Sequence, residues 1–138
     1  MSNILVDVII DDDNAPDAKV KASFTEGWGL FAGRDFKEGE VVIDYNLFPD
    51  SWYEMRYDQL SEEQVRKNCY VMIDNERCIT SDKWSKFSYI NHSRKPNCLW
   101  KVNDRLVVAN RDITEGEELF IDYRREPRPT RTEYPDWI

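Results

Sequence analysis

The pattern of apolar and polar residues divides the chain into many short strands separated by turns. Alternating or β-branched apolar segments predict strands, and clusters of Gly, Asn, Asp and Pro between them predict turns. Single strands are expected at 4–10, 19–24, 40–45 and 118–122, and two hairpins are expected to pair 70–73 with 77–80 and 99–102 with 105–109. So many short strands are typical of a mostly β protein, such as a sandwich or a barrel.

Helical signals are few. Ser61 is followed three residues later by Gln64, and this capping-box pattern predicts a short helix over 62–68. Residues 84–89 are a second candidate for a helical turn. The pattern predicts no internal repeat and no low-complexity segment.

The length of 138 residues predicts one domain. Lys and Arg number 19 against 27 Asp and Glu, which gives a formal charge of -8. This charge disfavours a nucleic-acid ligand, because a surface that binds phosphates is normally basic. It suits a basic partner such as a Lys-rich peptide, although it is equally explained by solubility alone. No apolar segment approaches the roughly 20 residues that a membrane helix needs.

The cysteines argue against a disulfide framework and against a metal site. Cys69, Cys78 and Cys98 are odd in number and widely spaced, and the single histidine, His92, does not complete a usual zinc-binding pattern. We therefore expect a reducing, intracellular compartment. The first residues carry neither a basic segment nor a cleavable apolar segment, so no secretory signal is predicted.

Three motifs stand out, although each has an ordinary explanation. Residues 27–32, GWGLFA, place two glycines around a tryptophan and predict a tight backbone segment. Residues 91–97, NHSRKPN, are typical of a loop that follows an apolar segment. Residues 115–123, EGEELFIDY, predict a turn and a strand that ends in a tyrosine. Their joint presence, in this order, is much more specific than any one of them.

Together the three motifs closely resemble the SET-domain protein-lysine methyltransferases over about residues 20–125. The resemblance implies a β-clip fold of several small sheets with one or two short helices and a C-terminal pseudoknot. At this knot-like crossing, the NHSRKPN segment and the strand ending at Tyr123 are expected to meet. A single domain would then consist of a SET core at about 20–125, an N-terminal strand region at 1–19 and an aromatic, Pro-rich tail at 126–138.

The resemblance also implies a site for S-adenosylmethionine and a channel for the substrate lysine. Carried over by motif, the cofactor-binding residues would be Gly27, Trp28, Gly29, Asn91 and His92. The catalytic tyrosine would be Tyr123, with Tyr45 acting beside it. The walls of the lysine channel would be formed by Tyr45, Tyr89, Trp100 and Ile121. Ile121 leaves room in the channel, whereas Trp100 takes room away. The number of methyl groups added is therefore left open.

The implied chemistry requires a neutral amine in line with a methyl group. Burial beside a positive sulfonium lowers the pKa of the substrate amine, because both the second charge and the low solvation disfavour the ammonium form. The Tyr123 hydroxyl would then orient the amine. Aromatic channel walls would attract an alkylammonium group.

The chain departs from many relatives after Tyr123. No cysteine follows Cys98, so the zinc-binding cysteine cluster of those relatives is missing and we expect no metal. In this respect the chain is similar to the compact, stand-alone members found in bacteria and viruses. The candidates for covering the cofactor are Tyr134 and Trp137, and Trp137 would stack on adenine. The tail could instead form a dimer interface.

These observations lead to one main hypothesis and one alternative. The main hypothesis is an enzyme that transfers methyl from S-adenosylmethionine to the ε-amine of lysine in a basic protein or peptide, such as a histone tail. The alternative is a catalytically silent SET-like module that binds a peptide or supports an assembly. We expect no direct contact with nucleic acid or membrane, and a location in the cytoplasm of a bacterium or the nucleus of a eukaryotic host.

Overall fold

The computed structural model describes residues 8–23, 27–66 and 70–123. Its strands are β1 (Ala18–Ala22), β2 (Trp28–Ala32), β3 (Val41–Asp44), β4 (Tyr53–Arg56), β5 (Tyr70–Met72), β6 (Arg77–Thr80), β7 (Asn91–His92), β8 (Cys98–Lys101), β9 (Leu106–Ala109) and β10 (Glu118–Ile121). One short α-helix, α1 (Glu62–Arg66), accompanies 3₁₀ helices at Tyr45–Leu47, Pro49–Ser51, Tyr57–Gln59 and Lys86–Tyr89. The mostly β fold expected from the sequence is confirmed.

The strands form three small sheets. Their orders are β1-β2-β10-β7, β3-β9-β8 and β4-β6-β5. Both hairpins expected from the sequence are present, β5 with β6 and β8 with β9, and both are antiparallel. The only parallel pair among the described strands joins β7 to β10.

The capping box at the start of α1 is confirmed. The backbone N–H of Ser61 donates to Gln64 Oε1 at 2.9 Å, and the backbone N–H of Gln64 donates to Ser61 Oγ at 3.1 Å. Two amide groups that a helix start leaves without partners are thereby satisfied. The helix is described as far as Arg66, and the predicted end at 67–68 lies outside the described residues.

The strand expected at 4–10 is not found in its described part. Residues 8–10 have no regular secondary structure, and 4–7 lie outside the described residues. Both backbone polar groups of Ile9 bond to the Tyr89 hydroxyl. The N–H of Ile9 donates to the hydroxyl oxygen, and the hydroxyl donates to the Ile9 carbonyl. A side chain therefore takes the place of a partner strand for this apolar segment.

Two segments of the chain, 29–45 and 106–123, have the same local sequence and the same local structure. Both contain Arg-Asp, then Glu-Gly-Glu, then Ile-Asp-Tyr, at 34–45 and at 111–123. The first strand of each segment pairs with the second strand of the other, as β2 with β10 and β3 with β9. The expectation of no internal repeat is therefore wrong.

Reciprocal hydrogen bonds join the two repeated turns. The backbone N–H of Glu38 donates to Asp112 Oδ1 at 2.9 Å, and that of Glu115 donates to Asp35 Oδ1 at 2.8 Å. Gly39 and Gly116 have φ of +88° and +91°, a conformation that glycine adopts at little cost. The two halves thus form a local two-fold arrangement that ends in Tyr45 on one side and Tyr123 on the other.

The core fills the space between the sheets. It is built from aliphatic strand residues and from Phe36, Phe87 and Tyr45. The N-terminal segment is fastened to it by Lys86, whose side chain is buried and donates to Asp13 Oδ2, Ala15 O and Ala18 O at 3.0, 3.0 and 2.7 Å. Within the described residues, no helix has the length and apolar character needed to cross a membrane.

Candidate functional site

The centre of the candidate site is the parallel junction of β7 with β10. Phe120 is opposite Asn91 and Ile121 is opposite His92. The Asn97 side chain ties the loop after β7 to the same strand, donating to the carbonyl of Glu118 at 2.9 Å and accepting from the N–H of Phe120 at 2.9 Å. The expected meeting of the NHSRKPN segment with the strand leading to Tyr123 is therefore confirmed.

Asn91, the first residue of the second motif, connects that motif to the other two. Its Nδ2 donates to the backbone carbonyl of Trp28 at 3.1 Å and to Glu118 Oε2 at 2.9 Å. These acceptors belong to β2 and β10, so one amide spans the sheet from its GWGLFA strand to its EGEELFIDY strand. Trp28, Gly29 and Asn91, predicted to hold one ligand, do lie together.

Glu118 is a member of this group that the sequence did not single out. Its carboxylate accepts from Ser23 Oγ at 2.8 and 3.0 Å in addition to Asn91. A Cβ on Gly29 would lie 2.5 Å from Glu118 Oε2. Only glycine at this position lets the carboxylate lie directly against the backbone of β2. In the sequence Glu118 follows an acidic turn, which is more typical of solvated residues.

The residues of this group suit a ligand whose amino-acid portion carries an ammonium group. The Glu118 carboxylate is half-buried, and Gly29 has no side chain to block an approach to the backbone of β2. Gly27, beside Trp28, is exposed and has φ of +40°. S-adenosylmethionine carries such a portion, so the residues present fit this cofactor. The individual cofactor roles of Gly27, Trp28, Gly29, Asn91 and His92 stay predictions.

His92 accepts a backbone hydrogen bond from Tyr123. The backbone N–H of Tyr123 donates to His92 Nδ1 at 3.1 Å, which requires Nδ1 to carry no proton. The side chains of His92 and Asp122 are 5% and 3% exposed, with 3.8 Å between Nδ1 and Oδ1. The imidazole therefore acts as an acceptor that fixes the backbone at the end of β10.

The Tyr123 hydroxyl is also held in place. It donates to the backbone carbonyl of Ile90 at 2.6 Å, and the ring lies 5.1 Å from the His92 ring. A hydroxyl whose hydrogen is engaged in this way presents oxygen lone pairs to an approaching donor. This orientation suits the predicted role of Tyr123 toward an amine.

Tyr45 occupies the corresponding end of the first repeat, but in a buried aromatic cluster. It is 1% exposed, and its ring makes edge contacts with Trp52, Phe87 and Trp100 at centroid distances of 4.7, 5.5 and 5.1 Å. The indole N–H groups of Trp52 and Trp100 are buried and have no acceptor among the residues described. Tyr45 and Trp100, both predicted to line the lysine channel, are in contact.

The remaining predicted channel residues lie in different surroundings. Ile121 is 2% exposed and belongs to the core. The Tyr89 ring stacks on Trp84 with 5.9 Å between centroids, and its hydroxyl bonds to the backbone of Ile9 in the N-terminal segment. The predicted channel roles of both stay predictions. The tail residues Tyr134 and Trp137 lie outside the described residues.

The described cysteines are buried and have the character of core residues. Cys78 and Cys98 are thiols with 0% and 1% exposure. Burial raises the pKa of the Cys98 thiol to about 12. Over 8–23, 27–66 and 70–123, no three His, Cys, Asp or Glu side chains are grouped as metal ligands would be. The expectation of no metal stays a prediction.

Comparisons with known proteins agree on one family. The sequence model of the SET domain matches residues 27–124. The H3 lysine-36 specific histone-lysine N-methyltransferase of Candida albicans is 32% identical over 117 residues, covering 77% of this chain and 14% of its own length. Human histone-lysine N-methyltransferase 2D is 33% identical over 107 residues, covering 72% of this chain and 2% of its own length. The chain thus spans a small part of these curated relatives.

A solved structure supports the same assignment. A humanized mutant of the Chaetomium thermophilum Polycomb Repressive Complex 2, bound to an inhibitor, superposes with a TM-score of 0.58 and 27% identity, covering 79% of this chain and 15% of that chain. The region matched by the SET-domain sequence model, residues 27–124, contains the β7–β10 junction and all three motifs. The chain therefore belongs to the SET-domain family.

Proposed function

We propose that this chain transfers a methyl group from S-adenosylmethionine to the ε-amine of a lysine in a basic protein or peptide. The observation that carries the proposal is the Asn91 amide. It joins β2 to β10, the strand that leads to Tyr123. It brings the three motifs into one site. The family relatives named as histone-lysine N-methyltransferases support the same reaction.

The cofactor would be held by the group around Asn91. Gly29 keeps the backbone of β2 open, and Glu118 and Asn91 supply polar contacts. S-adenosylmethionine supplies an electrophilic methyl group when it is bound. His92 keeps the end of β10 in place through the Tyr123 N–H, so that the ring of Tyr123 is fixed relative to this site.

Tyr123 would orient the substrate amine. Its hydroxyl donates to Ile90 O, so its oxygen can accept from an amine N–H. Holding the amine in line with the methyl group converts an encounter in solution into a positioned reaction and lowers the entropic part of the barrier. The aromatic cluster of Tyr45, Trp52 and Trp100 would form a wall that excludes water from the lysine.

The substrate class follows from charge. The chain has a net charge of -8, which favours the approach of a Lys-rich segment over an acidic one. Histone tails have this character, and so do other basic nucleic-acid-binding proteins. We propose a basic protein segment as the substrate and leave its identity to screening.

The first test compares Tyr123→Phe with the wild type. Purified chain is incubated with methyl-labelled S-adenosylmethionine and histone H3 and H4 tails, and methyllysine is identified by mass spectrometry. Removing only the hydroxyl should reduce turnover by about 100-fold or more while cofactor affinity stays within about threefold of wild type. Tyr57→Phe is the matched control, because Tyr57 packs on Tyr70 in another sheet region and should keep full activity.

The outcomes separate the two hypotheses. Full activity of the Phe variant would contradict the role given to Tyr123. Cofactor binding by the wild type without transfer to any basic protein would favour the alternative, a silent SET-like binding module.

A further inference from the structure

Glu118 is a half-buried carboxylate whose described partners carry no charge. It accepts from the Ser23 hydroxyl and the Asn91 amide, and it lies against the backbone at Gly29. Among the described residues, no ion pair includes it. A carboxylate partly withdrawn from water and held by neutral donors is a site that favours a cation.

Its neighbour Glu117 shows what a structural glutamate looks like at this turn. Glu117 accepts from Arg111 at 3.0 Å and from the N–H of Thr114, and the Arg111 hydrogen bond lowers the pKa of its carboxyl. In the first repeat Glu40 has the same environment, with Arg34 and the N–H of Lys37. Glu40 and Glu117 therefore each stabilise the turn that precedes them, by accepting from a backbone N–H three residues earlier.

The two-fold arrangement of the repeats does not require Glu118. The first repeat continues from Glu40 directly into Val41, whereas the second continues from Glu117 into Glu118. The Glu118 carboxylate therefore has no counterpart in the first repeat. It lies where the second repeat contacts Asn91 and Gly29. The first repeat folds without a carboxylate at this position, so the turn itself does not explain Glu118. We therefore look for its role in the group around Asn91 and Gly29.

We propose that Glu118 binds the α-ammonium group of the cofactor's amino-acid portion. This inference rests on the proposed function and names one contact within it. Glu118 contacts Asn91, and the Tyr123 hydroxyl contacts the preceding residue, Ile90. The carboxylate and the hydroxyl are thus both anchored to the segment that leads into β7, at consecutive residues.

Ser23 and Asn91 prepare the carboxylate for this contact. Their hydrogen bonds fix its position from two sides before any ligand arrives, so little order is lost on binding. Because the carboxylate is half-buried, its attraction for an ammonium is less screened by water than that of a surface acid.

The test uses the full chain, Glu118→Gln and calorimetric titration with two ligands. The ligands are S-adenosylhomocysteine, which has the ammonium but a neutral sulfur, and its deaminated analogue, which lacks the ammonium. Wild type should bind S-adenosylhomocysteine at least tenfold more tightly than the analogue. The variant should lose at least tenfold affinity for S-adenosylhomocysteine and keep its affinity for the analogue within about twofold.

The matched control is Glu117→Gln, which removes a neighbouring charge already paired with Arg111 and should leave both affinities unchanged. If the Glu118→Gln substitution prevents folding, as thermal unfolding would reveal, Ser23→Ala serves instead. It frees the carboxylate without removing it, and it should weaken S-adenosylhomocysteine binding selectively, by about threefold or more.

Two results would overturn the proposal while the proposed function stands. One is unchanged affinity of the variant for S-adenosylhomocysteine. The other is an equal loss for both ligands, which would mean that Glu118 acts only by holding Asn91. Failure of the wild type to bind S-adenosylmethionine, S-adenosylhomocysteine or the analogue would overturn the proposed function and this assignment with it.

Discussion

At the scale of single residues, the site is fixed by hydrogen bonds that leave little freedom to its side chains. The Tyr123 hydroxyl donates to a backbone carbonyl, its own N–H is accepted by His92, and Asn91 donates to two acceptors. In the proposed reaction, each contact would hold a group in the orientation that methyl transfer needs.

Cys98 should be chemically inert in the folded protein. Burial raises the pKa of its thiol to about 12, so at pH 8 its thiolate fraction is roughly a thousandfold lower than that of an ordinary exposed cysteine. Alkylation by iodoacetamide, followed by peptide mapping, should label Cys98 only after denaturation. Rapid labelling of Cys98 under native conditions would contradict the buried position of β8.

At the scale of elements, the two repeated turns make a quantitative prediction. Gly39→Ala and Gly116→Ala place a Cβ at a positive φ, but nothing lies within 4 Å of that Cβ. Each should therefore cost only conformational strain, about 1 kcal/mol of the free energy of unfolding. Because the turns are equivalent, the two losses should agree within about 0.5 kcal/mol in urea denaturation.

Gly33→Ala provides the contrast for this pair. Its Cβ would lie 2.6 Å from the backbone carbonyl oxygen of Asp17, which cannot easily move. It should destabilise the chain more than either turn variant. Equal losses for all three substitutions would contradict the account of the turns.

Local elements could be predicted from the sequence, and long-range ones could not. The hairpins and the capping box were predictable, because a hairpin turn and a capping pattern are encoded within a few residues. Strand β7 is two residues long and exists only because β10 lies beside it. Strand β2 was missed as well, since its glycines suggested a turn, whereas tertiary pairing on both sides makes it a central strand.

The site was predictable to a similar extent. The motifs identified Asn91, His92 and Tyr123 through a family resemblance, and the structure brings them together. Glu118 and Ser23 were missed, because their partnership spans 95 residues of sequence and leaves no local pattern. Asn97, quoted in the motif as a loop residue, proves to join the loop after β7 to the backbone of β10.

At the scale of the whole molecule, the net charge of -8 should govern how substrate is captured. Raising the salt from about 50 to about 500 mM shortens the range of electrostatic attraction, so KM for a Lys-rich peptide should rise severalfold. The kcat should change much less, because it is measured with the peptide already bound. Steady-state kinetics over a salt series measures both quantities, and a KM that does not depend on salt would contradict electrostatic capture.

The proposed reaction depends first on the binding of S-adenosylmethionine at the junction of β2, β10 and β7. The most direct measurement is a calorimetric titration of the full chain with this cofactor, repeated with a Lys-rich peptide present and with Asn91→Ala. Asn46→Ala, which loses one exposed hydrogen bond to Asp104 O, is the matched control. We predict saturable one-site binding, weakened at least tenfold by Asn91→Ala and unchanged by Asn46→Ala. No binding under either condition, or equal binding by Asn91→Ala and the wild type, would contradict the account.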